Sequence, residues 1–218
     1  MNLNQKYQPR CWADIAGQDE AVKQIQRLAE RGLDGRVLWI TGKSGTGKGS
    51  LAMVACHAAV GHSCAITTMN ATDLSIDRCR EIEKECRMSP VWGGCHAYCI
   101  NECHRLRGLV LSYLNDLLEL PHVMRTSFWA FTTTLDGEKK LFDEDEIESV
   151  PFGSRTIPIR LKYDESVTLA FALRAREIAQ AEHLDGQPLD KYVACVRKHH
   201  HNLREVLNAI DAGEMLSC

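Results

Sequence analysis

The chain has 218 residues, of which 44% are hydrophobic and 25% are charged, and its formal net charge is −3. This composition is typical of a globular protein with one large α/β domain, or with one such domain and a smaller one. The sequence contains no run of 18 apolar residues and no secretory signal, so we expect a cytoplasmic protein without membrane segments. Because the net charge is negative, binding to nucleic acid would have to depend on a local basic patch.

The strongest local pattern is a glycine-rich loop between an apolar strand and an apolar helix. The run Val37–Ile40 is typical of a buried parallel strand, and residues 51–55 are typical of a buried helix. Between them the chain reads Gly-Lys-Ser-Gly-Thr-Gly-Lys-Gly-Ser from residue 42 to residue 50. Strand, glycine loop and helix in this order predict a phosphate-binding loop for ATP or ADP rather than a simple turn. The expected contacts are Gly45, Thr46, Gly47, Lys48, Gly49 and Ser50.

This loop lacks one residue that the pattern requires. Lys48 supplies the positive charge for the phosphates, but Gly49 stands where a Ser or Thr hydroxyl holds Mg²⁺. Ser50 carries a hydroxyl one residue later, on a helix face turned by about 100°. The sequence therefore predicts nucleotide binding with weakened support for Mg²⁺.

Further strands alternate with helical patterns along the chain. The predicted strands are 65–69, 97–100, 128–132 and 156–161, and helical patterns at 77–88 and 109–118 separate them. Such alternation predicts a doubly wound, parallel, five-stranded sheet with ligands at the carboxyl ends of its strands. Pro158 indicates that the last strand is short or irregular.

A polar pair ends the third strand. Phosphate-loop ATPases commonly place Asp and Glu there, to hold Mg²⁺ and to polarise the attacking water. Here Asn101 replaces the Asp, while Glu102 remains available as the catalytic residue. Asn101 and Ser50 are thus the only candidate Mg²⁺ ligands, and both are poor ones.

After Leu161 the apolar spacing becomes helical. We predict helices over 166–181, 188–198 and 202–212, which form a small all-helical lid domain at 163–218 after a nucleotide-binding domain at 1–162. The acidic run 143–148 between them is interpreted as a solvated loop, with an electrostatic contact to a partner as the alternative.

The cysteines and histidines allow two interpretations. Most of the cysteines among Cys56, Cys64, Cys79, Cys86, Cys95, Cys99 and Cys103 are predicted to be small buried residues with reduced thiols. A zinc site from Cys95, Cys99 and Cys103 with His96 and His104 is the alternative, but Cys99 falls within a strand pattern. The triplet 199–201 is interpreted as a polar helix connection rather than as a ligand cluster.

Several motifs together resemble the AAA+ ATPases of the clamp-loader type. These include the bacterial polymerase III gamma/tau and delta-prime subunits and the small subunits of replication factor C. The matching segments, in chain order, are Lys-Tyr-Gln-Pro-Arg at 6–10, Ile-Ala-Gly-Gln at 15–18, the glycine loop, Asn-Ala-Thr-Asp at 70–73, Asn-Glu-Cys-His-Arg-Leu at 101–106, Thr-Thr at 132–133, Gly-Ser-Arg-Thr at 153–156 and Asn-Leu-Arg at 202–204. The interval 134–154 is longer than the family usually has. Clamp-loader subunits continue beyond the position of Cys218 into a collar domain.

The resemblance implies roles for individual residues. Tyr7, Pro9 and Ile15 would enclose adenine, and Thr133 would be the sensor-1 residue. Arg155 would be a finger that acts in trans on a neighbouring subunit, and Arg204 the sensor-2 residue. Each arginine has a simpler interpretation, as an ion-paired or a surface residue.

The resemblance also implies partners. Other AAA+ subunits are expected in an oligomer, with a sliding clamp and DNA as further partners. Arg80, Lys84 and Arg87 share one helix face that would contact DNA phosphates, although ion pairs with Glu81 and Glu85 are an equally good interpretation.

Three functions are therefore compatible with the sequence. The first is an ATP-binding AAA+ subunit of a clamp-loading machine in DNA replication or repair, with weak hydrolysis of its own. The second is a non-catalytic regulatory or structural module that uses the same fold for protein contacts. The third is a competent DNA-associated ATPase that coordinates Mg²⁺ through nucleotide and water alone.

Overall fold

The computed structural model describes residues 2–91, 93–106, 108–134 and 154–216. The chain divides into two compact units. The first, called the sheet unit, comprises Lys23–Thr41 and Ala52–Arg160. The second, called the lid unit, comprises Met1–Val22, Gly42–Leu51 and Leu161–Cys218. The acidic run 143–148 lies outside the described residues.

The sheet unit contains a five-stranded parallel sheet, as the sequence predicts. Its strands are β1 (Val37–Thr41), β2 (Ile66–Asn70), β3 (His96–Asn101), β4 (Ser127–Thr133) and β5 (Ile157–Arg160). They are arranged in the order β2-β3-β4-β1-β5, and every adjacent pair is parallel. The short fifth strand contains Pro158, as expected, and lies at the edge of the sheet.

The strand register brings polar residues together at one edge of the sheet. Thr41 at the end of β1 pairs with Thr133 at the end of β4, and Asn70 pairs with Asn101 at the end of β3. All residues of β1 and β4 are buried, which is expected for central parallel strands covered on both faces. The polar carboxyl ends are therefore held by a rigid apolar scaffold.

Five helices lie before or between the strands along the chain. They are α2 (Asp19–Ala29), α3 (Lys48–Ala59), α4 (Ile76–Glu85), α5 (Gly108–Leu117) and α6 (Pro121–Thr126). The core of the sheet unit is rich in aromatic residues, with the rings of Tyr98 and Trp129 4.5 Å apart and those of Trp129 and Phe131 5.8 Å apart. Such offset ring pairs bury a large apolar area and fix the neighbouring strands β3 and β4.

The lid unit has its own core. Its helices are α1 (Leu3–Lys6), α7 (Glu165–Ala181), α8 (Leu189–Lys198) and α9 (Leu203–Asp211). Phe171, Tyr192 and Ile210 are almost completely buried there, together with Leu3 from the amino terminus. The predicted helical spacing in α9 is confirmed, because Val206, Leu207 and Ile210 all face this core.

Most of the predicted buried cysteines are indeed buried. Of the seven named above, Cys64 is exposed and the other six are buried. Cys95 and Cys103 donate to backbone carbonyls, those of Ala59 and Ile100. In the part of the chain that the structure describes, no helix has the length and apolar character needed to cross a membrane.

Candidate functional site

The glycine loop follows β1 directly and leads into the first turn of α3. Gly45 and Gly47 have positive φ angles of 75° and 95°, a backbone conformation that favours glycine. Helix α3 begins at Lys48 and has 12 residues, so its amino-terminal N–H groups lie at the end of the loop. This geometry is that of an anion site built from backbone donors and a helix dipole.

Lys48 lies beneath the loop. Its ammonium group donates to the carbonyl oxygens of Gly42 at 2.9 Å and Lys43 at 2.8 Å, and the residue is only 9% exposed. Thr46 donates its hydroxyl to the same Lys43 carbonyl at 2.8 Å. These bonds hold the loop in a compact form with the lysine already at its base.

The lid unit places the start of α9 against the crest of this loop. The N–H of Leu203 donates to the carbonyl of Gly45 at 3.2 Å. A Cβ atom built on Gly45 would come within 1.6 Å of Oδ1 of Asn202, so no side chain larger than hydrogen fits there. Asn202 is also the N-cap of α9, since its side chain accepts from the N–H of Glu205. The sequence identified the segment 202–204 but not the role of Asn202.

The side chain of Arg204 is exposed. The structure shows no hydrogen bond or ion pair of its guanidinium with any described residue, although its carbonyl accepts from Asn4 at 3.4 Å. The assignment of Arg204 as a sensor-2 residue stays a prediction. Gly49 is exposed at the start of α3, and Ser50 is half-buried one residue later.

The amino-terminal segment is bound to the lid helices. The hydroxyl of Tyr7 donates to Glu182, and Lys6 forms an ion pair with the same carboxylate at 2.6 Å. Ile15 is buried and Pro9 half-buried. The hydrogen bond to Glu182 raises the pKa of the Tyr7 phenol, and burial raises it further. Whether Tyr7, Pro9 and Ile15 enclose adenine stays a prediction.

Gly17 and Gln18 hold the amino-terminal segment against other parts of the lid unit. A Cβ atom on Gly17 would lie 3.2 Å from both Phe171 and Val167 of α7. Gln18 is buried and bonds both backbone groups of Lys162, because its Nε2 donates to the carbonyl and its Oε1 accepts from the N–H, each at 2.9 Å. The motif at 15–18 is therefore a structural anchor in the lid unit.

In the sheet unit, polar side chains meet at the ends of β3 and β4. The hydroxyl of Thr132 donates to Oδ1 of Asn101 at 2.9 Å. Thr133 contacts Nδ1 of His104 at 3.2 Å, and Nε2 of the same imidazole lies 3.5 Å from Glu102. His104 thus links the predicted catalytic carboxylate to the predicted sensor residue. The sequence motif at 101–106 contains His104, but its spacing alone does not reveal this connection.

Glu102 has an unusual backbone conformation. Its φ and ψ are 57° and 44°, in the left-handed region, where a non-glycine residue is strained. Its side chain is 44% exposed. Strand β3 is therefore followed by a turn at Glu102, whose carboxylate is accessible to solvent. Such accessibility suits a group that acts on water.

The structure also places the predicted partner-binding residues. Arg155 forms an ion pair with Glu119, so the finger assignment stays a prediction. On α4, Arg80 pairs with Asp77 and Arg87 with Glu83, each at 2.9 Å, while Lys84 is exposed. Intrahelical ion pairing is thus present, but Glu81 and Glu85 pair with Arg78 instead, at 2.9 Å each.

Solved structures share the fold of this chain. RuvB of Thermotoga maritima, a Holliday junction branch migration motor, superposes with a TM-score of 0.71 at 16% identity over 94% of this chain. DnaA of Aquifex aeolicus with bound AMPPCP superposes with a TM-score of 0.68 at 14% identity, also over 94%. A replication initiator DnaA bound to AMPPCP and single-stranded DNA gives a TM-score of 0.69 at 14% identity.

The fold is that of the AAA+ ATPases. The chain spans about 64% of the length of RuvB and about 65% of that of DnaA. No protein-family model and no curated protein sequence matches it. At these low identities the neighbours show the fold alone, so membership of the AAA+ class and the clamp-loader type both stay predictions.

Proposed function

We propose that this chain is an ATP-binding subunit of an oligomeric, DNA-associated AAA+ machine of the clamp-loader type, with weak hydrolysis of its own. The observation that carries the proposal is the glycine loop with Lys48 at its base and the start of α9 bound to its crest. A nucleotide on this loop would act on the loop and on the start of α9 at once, because Gly45 contacts Asn202 and its carbonyl accepts from the N–H of Leu203. Nucleotide binding would in this way change the position of the lid helices.

The proposed weakness of hydrolysis has two causes on this chain. Mg²⁺ bound with the nucleotide neutralises phosphate charge and favours transfer of the terminal phosphate. Its protein supports would be Ser50 and Asn101, and the amide oxygen of Asn101 already accepts from Thr132 at 2.9 Å. A neutral amide also adds no charge against the cation. Glu102 remains as the group that would orient and polarise water.

Association with DNA and with other subunits rests on a separate line of support. The neighbours by fold include a branch migration motor and an initiator bound to single-stranded DNA. On this chain, Arg80, Lys84 and Arg87 are all exposed, and Arg80 and Arg87 form ion pairs with Asp77 and Glu83. Exposed pairs of this kind are weak and can exchange their carboxylate partners for phosphates.

Calorimetric titration with ATP, with and without Mg²⁺, tests the binding step. Lys48→Ala is expected to abolish binding, whereas Lys43→Ala is the matched control, because the Lys43 ammonium lies over the ring of Tyr163 at 4.4 Å. Affinity in the unaltered chain is expected to depend little on Mg²⁺. Equal affinity of the unaltered chain and Lys48→Ala would refute the proposed site and favour the non-catalytic module.

Restoring the missing groups tests the explanation for weak hydrolysis. Gly49→Thr combined with Asn101→Asp is expected to raise ATP turnover more than the two single changes together, because both act on one ion. Adding Glu102→Gln to the double variant should remove the gain. A folded double variant that binds ATP but turns over at background would contradict the explanation.

A further inference from the structure

A cluster of three potential metal ligands lies in the lid unit, away from the glycine loop in sequence. Cys195 of α8, His199 at the carboxyl end of that helix and Glu214 after α9 each offer one ligand atom within 4.8 Å of the others. Residues four apart share one face of a helix, which explains why Cys195 and His199 face the same point. Two of the three residues, Cys195 and Glu214, line a cavity of about 480 Å³ together with Lys191 and Lys198.

The two ring nitrogens of His199 have different surroundings. Its Nε2 atom is buried and has no hydrogen-bond partner among the described residues, although a buried unpaired nitrogen costs free energy. Its Nδ1 atom lies 3.3 Å from Oε2 of Glu205. A carboxylate on one ring nitrogen that leaves the other for the ion is the usual support of a metal-bound histidine.

The chemical types of the ligands select the metal. A thiolate, an imidazole and a carboxylate form a mixed set that suits Zn²⁺, whereas Mg²⁺ prefers oxygen ligands only. Cys195 as a thiolate and Glu214 as a carboxylate would together balance the charge of a divalent ion. Zinc bonds of 2.0–2.3 Å in a tetrahedron require ligand atoms about 3.3–3.8 Å apart. Rotamer adjustments that shorten each separation by at most about 1–1.5 Å would therefore close the site.

One cation competes for this position. Lys198 forms an ion pair with Oε1 of Glu214 at 2.6 Å, but its side chain is 59% exposed. The lysine can move into solvent at little cost, because an exposed ion pair contributes only about 0–1 kcal/mol. Glu214 also has a second carboxylate oxygen for the metal.

We propose that Cys195, His199 and Glu214 bind one Zn²⁺ ion, with water as the fourth ligand. The ion would join α8 to the segment after α9 and fix the turn between the two helices. Glu205 extends its effect further, because Oε1 of Glu205 accepts from Asn202 at 2.7 Å. Asn202 is the residue that contacts Gly45 of the glycine loop. The metal would thus hold the lid surface that meets the loop.

Metal binding to the full chain tests the proposal. The protein is freed of metal with a chelator under reducing conditions and titrated with Co²⁺, whose absorption reports thiolate ligation and tetrahedral geometry, and then with Zn²⁺ against a chromophoric chelator. One site per chain is expected. Cys195→Ala, His199→Gln and Glu214→Gln should each weaken it, and Cys195→Ala should also remove the thiolate-to-cobalt band.

Matched controls separate this site from the other thiols and imidazoles of the chain. Cys64→Ala removes an exposed cysteine, and His200→Gln removes the neighbouring histidine, whose backbone lies in the same turn. Both should bind metal like the unaltered protein. Glu205→Gln keeps all three ligands and should lower zinc affinity about 10- to 100-fold, as loss of an outer-shell partner does.

Thermal unfolding with and without zinc separates loss of ligand from loss of fold. Zn²⁺ should raise the Tm of the unaltered chain and of both controls, but not that of the three ligand variants, because only binding to the folded state stabilises it. Ligand variants that fold and still bind zinc with the affinity of the unaltered protein would overturn the proposal. So would an unaltered chain that shows no thiolate-to-cobalt band.

Discussion

Gly45 and Gly47 occupy neighbouring positions in the loop but are required for different reasons. Both have positive φ angles. Around Gly47 a Cβ atom would meet nothing within 4 Å, whereas around Gly45 it would overlap the side chain of Asn202. A glycine is thus required at position 47 by the backbone conformation alone. At position 45 it is required both by the conformation and by the contact with Asn202.

Alanine at each position should therefore destabilise the protein to different degrees. Gly47→Ala is expected to cost about 1–2 kcal/mol, the strain of a left-handed alanine. Gly45→Ala should cost more, because the start of α9 must also move. Chemical denaturation of the two variants measures the difference. In an Asn202→Ala background the extra cost of Gly45→Ala should disappear, and full additivity would contradict the contact.

Glu182 provides a test by pH. The hydrogen bond from Lys6, followed by that from Tyr7, lowers the pKa of its carboxyl below the ordinary value of about 4.5. The folded state therefore binds fewer protons than the unfolded state in this range, and the stabilisation is present above about pH 4.5 and lost as the pH falls through the lowered pKa. Glu182→Gln should remove this part of the acid dependence.

The measurement is the Tm of both proteins between neutral pH and mild acid. The difference between the unaltered chain and Glu182→Gln should be largest near neutral pH and shrink on acidification. A difference that is constant with pH would show that the carboxylate charge has no role in holding the amino-terminal segment.

At the residue scale, the sequence identified the altered positions but not their surroundings. Gly49 and Asn101 are visible because a fixed motif spacing marks the position where a metal-binding group belongs. The contacts of His104 with Glu102 and Thr133, and of Glu205 with His199, depend on strand register and on turn geometry. Neither is encoded in a local pattern, so the sequence could not show them.

At the scale of elements, apolar periodicity predicted the five described strands and the helices α3, α4, α5, α7, α8 and α9 to within a few residues, but it did not predict α1, α2 and α6. It could not predict which carboxylates pair on α4, because spacings of three and four residues both allow contact. Arg78 forms ion pairs with Glu81 and Glu85. Arg80 and Arg87 form ion pairs with Asp77 and Glu83 instead. The choice depends on side-chain directions that a spacing does not fix.

Gln18 joins two parts of the lid unit that are distant in sequence. Gln18→Ala removes both of its bonds to the Lys162 backbone and should lower the free energy of unfolding by about 1–3 kcal/mol. Gln24→Ala is the matched control, since this exposed residue makes one long bond of 3.3 Å to Pro158 and should change stability by less than about 0.5 kcal/mol. Equal effects in chemical denaturation would contradict the anchoring role.

At the scale of the whole molecule, alternation of strands and helices predicted a parallel sheet but not its strand order. The order β2-β3-β4-β1-β5 arises from long-range pairing, which local periodicity does not specify. Motifs spread from residue 6 to residue 204 supplied the prediction of the AAA+ class, and the fold shared with RuvB and DnaA agrees with it. The role within an assembly lies in contacts with other chains and stays a proposal.

Arg155 offers the most direct test of that proposed assembly. A finger acts on the nucleotide of a neighbouring subunit, and supplying such a charge in trans is worth about 10³–10⁵ in rate. Its side chain is 30% exposed and forms an ion pair with Glu119, itself 55% exposed. A partly exposed ion pair can exchange its carboxylate for the phosphate of a neighbouring subunit's nucleotide.

Arg155→Ala should leave the nucleotide affinity of the isolated chain unchanged and slow ATP turnover of the reconstituted complex by orders of magnitude. Arg125→Ala removes an exposed arginine of α6 and should have no effect on turnover. Glu119→Gln breaks the same ion pair while keeping the guanidinium, so turnover should be maintained or increased. If Arg155→Ala and Glu119→Gln reduce turnover and thermal stability alike, the arginine acts through the ion pair within its own chain. Such a result would remove the main mechanistic support for an assembly in which this subunit completes its neighbour's site.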